Sequence, residues 1–266
     1  MCQGDVMTTG RTGMSHRPTR RARRLAAGVL TGFLALSALS ACSGDDESPT
    51  KNDKIDADDD GDITPAEVMT AAKAILDETS GVAVTLETGD DPGVDYLSAA
   101  SGTIVADPSA FEGSVSGRVS GFEASGISVV SVDGTLWVDV PIVGWTDEYQ
   151  PEDLCAPDPA LLIDPETGVG NVLTSSEDLE EGDGERGGTD NKLVLTPFTG
   201  TAPGDAIREI LPCAEDDSYD VTYRVDGDGR LFSVQMTGSF FPDADEVTYN
   251  IEVTDYDVTK DISAPR

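Results

Sequence analysis

Two periodicities divide the chain. From Pro65 to about Thr79, Val68, Ala71, Ala72, Ile75 and Leu76 recur at helical spacing and form one apolar stripe, the pattern of a helix laid over a sheet. After Gly81 the period drops to two. Val82, Val84 and Leu86 alternate with Ala83, Thr85 and Glu87, and residues 97–105 and 111–122 continue as strands with turn residues between them. Residues 127–132 and 135–140 flank Asp133-Gly134, a dipeptide that suits the type I′ turn of a hairpin. Residues 141–159 read as loop, 160–173 as two short helical turns broken at Asp164-Pro165, and 175–190 as an exposed acidic, glycine-rich loop. Strand pattern resumes at 192–196, a short helix at 205–211 is stopped by Pro212, and strands at 219–225, 230–237 and 246–254 complete the set. The expectation is an α+β domain of seven to nine strands, joined largely by hairpins, with two to four helices.

One strand carries an unusual face. Phe111, Gly113, Val115, Gly117, Val119 and Gly121 share one side, and Glu112, Ser114, Ser116, Arg118 and Ser120 the other. Glycines on an apolar face leave volume unfilled, which suits a sharply coiled sheet, a ligand close to the backbone, or both.

The amino-terminal segment reads differently. Arg17, Arg20, Arg21, Arg23 and Arg24 precede an apolar run over 25–39, which closes on Leu39-Ser40-Ala41-Cys42. A basic region, a short apolar core and small residues before a cysteine form a secretion signal ending in a lipobox, with Met14 an alternative start. The run is shorter than the ~20 residues that span a bilayer. The expected division is a signal over 1–41, a flexible polar tether over 42–61, and one domain over 62–266 held to the outer face of the cell membrane by lipid, palmitate for example, on Cys42. An ordinary signal cut near a chance cysteine is the bland alternative.

Charge then narrows the partners. Acidic residues number 51 against 17 basic ones, for a net charge of −34. Removal of the arginine-rich signal makes the remainder more acidic still. Nucleic acid is excluded as a partner, and a basic face for anionic headgroups is not expected. Of four cysteines, Cys2 leaves with the signal and Cys42 takes the anchor, so Cys155 and Cys213 remain to pair in an oxidising compartment or to sit as buried thiols. The one histidine, His16, lies in the signal. A mature domain without histidine has no Ser-His-Asp or Cys-His machinery, and no enzyme is expected.

A metal reading competes with a structural one at 56–67. Asp56, Asp58, Asp60, Asp62 and Glu67, with Gly61 at the turn, fit the ligand spacing of a calcium loop. Thr64-Pro65-Ala66-Glu67 reads equally as a capping box with proline at the first helical position. Calcium is therefore the one cofactor left open, and a calcium-dependent surface or adhesion lipoprotein the alternative function.

The segment Ser131-Val132-Asp133-Gly134-Thr135-Leu136-Trp137-Val138, then Trp145, then Asp158-Pro159-Ala160-Leu161-Leu162 and Asp164-Pro165-Glu166-Thr167-Gly168-Val169-Gly170-Asn171-Val172-Leu173, resembles the LppX/LprAFG lipoproteins of mycobacteria and their relatives. The ending, with Asp257-Val258-Thr259 and Ala264-Pro265, is similar too. The resemblance implies an antiparallel half-barrel wrapped by helices on one side and enclosing an apolar cavity. It also implies carriage of an acylated lipid or glycolipid away from the cytoplasmic membrane, with a membrane exporter as a candidate second partner. A carrier needs shelter for acyl chains rather than catalytic groups, because exposed apolar surface costs ~25 cal/mol per Å². The inward faces expected to supply it contain Val84, Leu86, Val115, Val119, Leu136, Val138, Leu162, Leu173, Val194, Phe232 and Val234. Each is equally an ordinary core side chain, since alternation alone does not say which face is inward.

Overall fold

The computed structural model describes residues 63–266 apart from Thr189. The chain enters through helix α1, Pro65–Glu78. Thr64 caps it: the Glu67 amide donates to Thr64 Oγ1 (3.3 Å), and the Thr64 amide donates back to Glu67 Oε2 (2.7 Å). Proline at the first helical position costs nothing there.

Twelve strands then build one antiparallel sheet. They are β1 (Gly81–Glu87), β2 (Tyr96–Ala106), β3 (Ser109–Val119), β4 (Phe122–Val132), β5 (Thr135–Val140), β6 (Gly144–Thr146), β7 (Glu177–Glu181), β8 (Glu185–Gly187), β9 (Leu193–Pro203), β10 (Ser218–Asp226), β11 (Leu231–Gly238) and β12 (Val247–Tyr256). Their order is β6-β5-β4-β3-β2-β1-β12-β11-β10-β9-β7, with β8 also on β9. The first and last long strands pair in the middle, so β6 and β7 lie at opposite edges. The connection between them must therefore cross the whole sheet. It does so along one face, carrying the 3-10 turns Pro151–Leu154 and Pro159–Leu161 and helix α2, Gly170–Ser175. Helix α3, Gly204–Ile210, joins β9 to β10. This is the antiparallel sheet wrapped by helices on one side that the sequence led us to expect.

The strand count exceeds the expected seven to nine, and the reason is local. β6, β7 and β8 fall where loops were read, because short edge strands take their pairing from a neighbour's backbone and need no apolar alternation of their own. β7, Glu-Asp-Leu-Glu-Glu, is mostly exposed, and its charges guard an edge that would otherwise invite another strand. β4 starts five residues earlier than expected, at Phe122, because Ser120 and Gly121 both adopt positive φ and turn the chain there. β9 continues through Pro197 to Pro203.

Two apolar clusters fill the helix-covered, inner face. One gathers Met69 and Ala72 of α1, Val172 and Leu173 of α2, Ile207 of α3, and Phe198, Tyr219, Val221, Tyr223, Val225, Leu231 and Val247 of the sheet. The other sets Leu76, Ala160 and Ile163 against Val82, Ile104, Phe111, Val129 and Leu136. Ser131 is buried on this face and donates to Asp158 Oδ1 (2.8 Å), which also accepts the Ala160 amide (3.0 Å). That pair fastens the crossing segment to the sheet. A third, smaller cluster of Val105, Ala110, Val130 and Val132 lies on the outer face, under Trp137, Trp145 and Ile262.

Candidate functional site

Register places the inner face in rows. Tyr223 pairs with Phe198 and Val234, Val234 with Ile251, Ile251 with Leu86, Leu86 with Ala100, Ala100 with Val115, and Val115 with Ile127. Directly opposed residues of an antiparallel pair share a face, so eight consecutive strands present one continuous apolar row. Its cover changes along its length. Phe198 and Tyr223 are buried under the helices, whereas Val234, Ile251, Leu86, Ala100, Val115 and Ile127 are only half-buried. The row thus leads from a closed core to an open end.

The next row, Val253, Val84, Gly102, Gly113, Val129 and Val138, carries the cross-strand glycines Gly102 and Gly113. The Phe111 ring lies over both, and a Cβ on Gly113 would stand 2.5 Å from its Cζ. The volume that the glycines leave is therefore taken by a neighbour's ring at this level.

The inward residues named from sequence divide accordingly. Leu86, Leu173 and Val234 belong to the first inner cluster, and Val84, Val115, Leu136, Val138 and Leu162 to the second. Val119 and Val194 do not join them: at 46% and 56% exposure, they lie at a hairpin tip and near the start of β9. Phe232 is displaced by a bulge. Arg224 pairs with Ser233 but Val225 with Leu231, so the register skips Phe232 and Leu231 enters the core in its place. Ile127, Ala100 and Ile251, at alternating positions of their strands, complete the row beside the residues named from sequence.

A rim of fixed loops surrounds the open end. Residues 88–95, between β1 and β2, hold it together. Arg118 donates to both carboxylate oxygens of Asp91 (2.8 and 2.7 Å) and to Glu123 Oε1 (2.9 Å), and its guanidinium lies over the Tyr96 ring. This clasp holds the Asp91 carboxyl down to about 2. Asp95 accepts the amides of Ser120 and Gly121 at the β3–β4 tip, and Asp90 accepts the Thr248 amide of β12 (2.8 Å). Charge at the rim is thus spent on bracing loops.

Cys155 and Cys213 form a disulfide, with Cα atoms 5.4 Å apart. It ties the crossing segment to the loop after α3. The candidate calcium ligands divide: Glu67 serves the cap of α1, while Asp56, Asp58, Asp60 and Asp62, like the expected anchor Cys42, lie outside the described residues. A shallow cleft of about 390 Å³ lies on the outer face, lined by Ser101, Ser114, Ser128, Glu112, Trp145 and Lys260. Gly102, Gly113, Val129 and Val130 complete its lining, so it is a mixed, open surface cleft and not the enclosed apolar shelter expected from sequence.

Residues 64–263 match the LppX_LprAFG lipoprotein family. The chain belongs to that family. Among solved structures it is similar to LprF from Mycobacterium bovis, at 12% identity and a TM-score of 0.60, covering 76% of this chain and 96% of that one. It is similar also to the Mycobacterium tuberculosis lipoprotein LppX, at 16% identity and a TM-score of 0.55, covering 74% and 97%. No curated protein sequence matches it. At these identities the structures speak for the fold. Within it, the family-like residues Asp158 and Asp164 act as caps: Asp164 accepts the Thr167 amide, the Thr167 hydroxyl and the Glu166 amide, which together hold its carboxyl below the usual range.

Proposed function

We propose that this lipoprotein carries acylated lipid or glycolipid, with the acyl chains laid along the inner row from Ile127 to Val234. The observation that carries the reading is that row: apolar side chains, continuous over eight strands, buried at one end and half-open at the other, in a chain of this family. A filled core has no use for a graded opening, whereas a carrier needs chains to enter without crossing water. Cys42 holds the protein at the outer face of the cytoplasmic membrane, and the domain moves lipid from there toward the envelope. The chemistry is binding and release, with no bond made or broken.

The test is mass spectrometry of organic extracts of the protein purified without detergent from an actinobacterial host. Acylated lipid at about one per chain is expected. Protein that carries none, and takes up none from lipid vesicles, would end the reading.

A further inference from the structure

Among the described residues, the most exposed apolar side chains lie on two turns that point toward the same end of the sheet. Phe122 is 76% exposed on the β3–β4 tip, where it pairs with Val119, and Ile142 and Val143 are 108% and 74% exposed on the β5–β6 tip. Register puts both tips at the open end of the inner row, since β3 leaves Val115 for Val119 and β5 leaves Val138 for the turn after Val140. We propose that these two tips dock the carrier on the surface of an electroneutral lipid bilayer, so that the row opens directly onto the acyl region. This deepens the carrier reading and rests on it.

Three observations support the tips as built features. Ile142 holds φ at +75°, a conformation that a β-branched residue adopts only under strain, and it does so fully exposed. Strain of this kind concentrates where a residue is kept for use rather than for stability. The β3–β4 tip is held rigid by Asp95, which accepts the backbone amides of Ser120 and Gly121, so looseness does not account for Phe122. Finally, neither 119–122 nor 140–146 contains a charged residue, in a chain with 51 acidic ones.

The same facts select a bilayer. Two separate fingers of aromatic and branched side chains need a partner that accepts apolar groups at any lateral spacing, as the lipid interface does; a protein would have to offer a matched pocket to each. The chain's net charge of −34 opposes anionic headgroups, which leaves zwitterionic or neutral lipid.

Depth-dependent fluorescence on the full acylated chain in phosphatidylcholine vesicles tests this. An environment-sensitive label on Phe122→Cys or Ile142→Cys should emit to the blue and be quenched by brominated lipid at least twofold more than a label on Asp228→Cys, in the β10–β11 turn at the other end. Equal, water-like signals at all three positions would overturn docking, even with lipid still present in extracts. Loss of extractable lipid with the tips still inserted would sink the carrier reading instead. A dimer in vesicle-free sedimentation that the Phe122→Ser/Ile142→Ser variant abolishes, with no insertion, would assign the tips to a second copy and overturn the bilayer.

Discussion

The ring of Phe111 occupies the space above Gly113: a Cβ there would meet the ring at 2.5 Å and run into the Ser101 carbonyl oxygen as well. The ring can move, but the carbonyl cannot without breaking the β2–β3 ladder. Gly113→Ala should therefore destabilise by more than about 2 kcal/mol in urea unfolding. The cost should persist in a Phe111→Ala background. Phe111→Ala alone should cost about 3–5 kcal/mol through the cavity it leaves. Full rescue of Gly113→Ala by Phe111→Ala would show that the ring, and not the backbone, sets the requirement.

Much of this frame was legible because each device is local. The α1 stripe and its cap, and the Asp133-Gly134 turn with positive φ at both residues, follow from neighbours in sequence. What stayed hidden needed the third dimension. The bulge that exchanges Phe232 for Leu231 leaves no mark on alternation, and the edge strands β6 to β8 exist by virtue of their partners. The inner row is the clearest case. Leu86 and Ile251 are equally apolar on paper, but only the pairing of the first long strand with the last makes them neighbours. The anchor and the acidic loop before α1 remain sequence readings.

Reduction should weaken the domain substantially. The bond between Cys155 and Cys213 closes a separation of 58 residues, which in the chain-entropy model contributes about 4 kcal/mol. At roughly 2–4 °C per kcal/mol for a domain of this size, calorimetry with and without reductant should differ by about 10 °C. The Cys155→Ala/Cys213→Ala variant should melt at the lower temperature and ignore reductant. Equal melting of the oxidised and reduced wild type would remove this contribution.

Alkali should unfold the protein by way of buried phenols. Burial pushes Tyr223 up to about 12 and drives Tyr249 and Tyr256 upward by the same cause. Each hydroxyl is engaged: Tyr223 shares a hydrogen bond with Ser176 Oγ (2.7 Å), Tyr249 donates to the Leu97 carbonyl (2.8 Å) and Tyr256 to that of Leu231 (2.8 Å). The folded chain keeps these protons to higher pH than the unfolded chain, whose phenols titrate near 10. Their contribution is thus whole below about pH 10; that of Tyr223, roughly 3 kcal/mol, is lost between about 10 and 12, and those of Tyr249 and Tyr256 fall away as pH rises further. Tyrosinate absorbance should rise together with loss of circular dichroism. Titration of these phenols in a chain that stays folded would refute the account.

The two tryptophans report on the carboxy-terminal strap. Residues after β12 run over the outer face, with the Val258 amide donating to the Gly81 carbonyl, Lys260 paired with Glu112, and Ile262 packed on the cluster that contains Trp137 and Trp145. Ile262→Ala should shift tryptophan emission to the red and cost about 1–2 kcal/mol, less than a core truncation because the site is half-open. Unchanged emission would mean that the strap does not shield the rings.

Neighbouring residues on opposite faces separate cargo binding from stability. Val115 stands in the inner row between Ala100 and Ile127, while Ser114 points to the outer cleft. An aspartate at 115 would put a carboxylate against acyl chains, where an ion without a partner is strongly disfavoured, whereas water already meets an aspartate at 114. Val115→Asp should therefore lower the lipid recovered per chain at least tenfold, and Ser114→Asp should leave it unchanged. Val115→Asn, polar but uncharged, should fall between them. Because Val115 is only half-buried, the aspartate variant should lose no more than about 1–3 kcal/mol and remain folded, so the lipid loss can be read on native protein. A full lipid load in folded Val115→Asp would take the acyl chains away from this row.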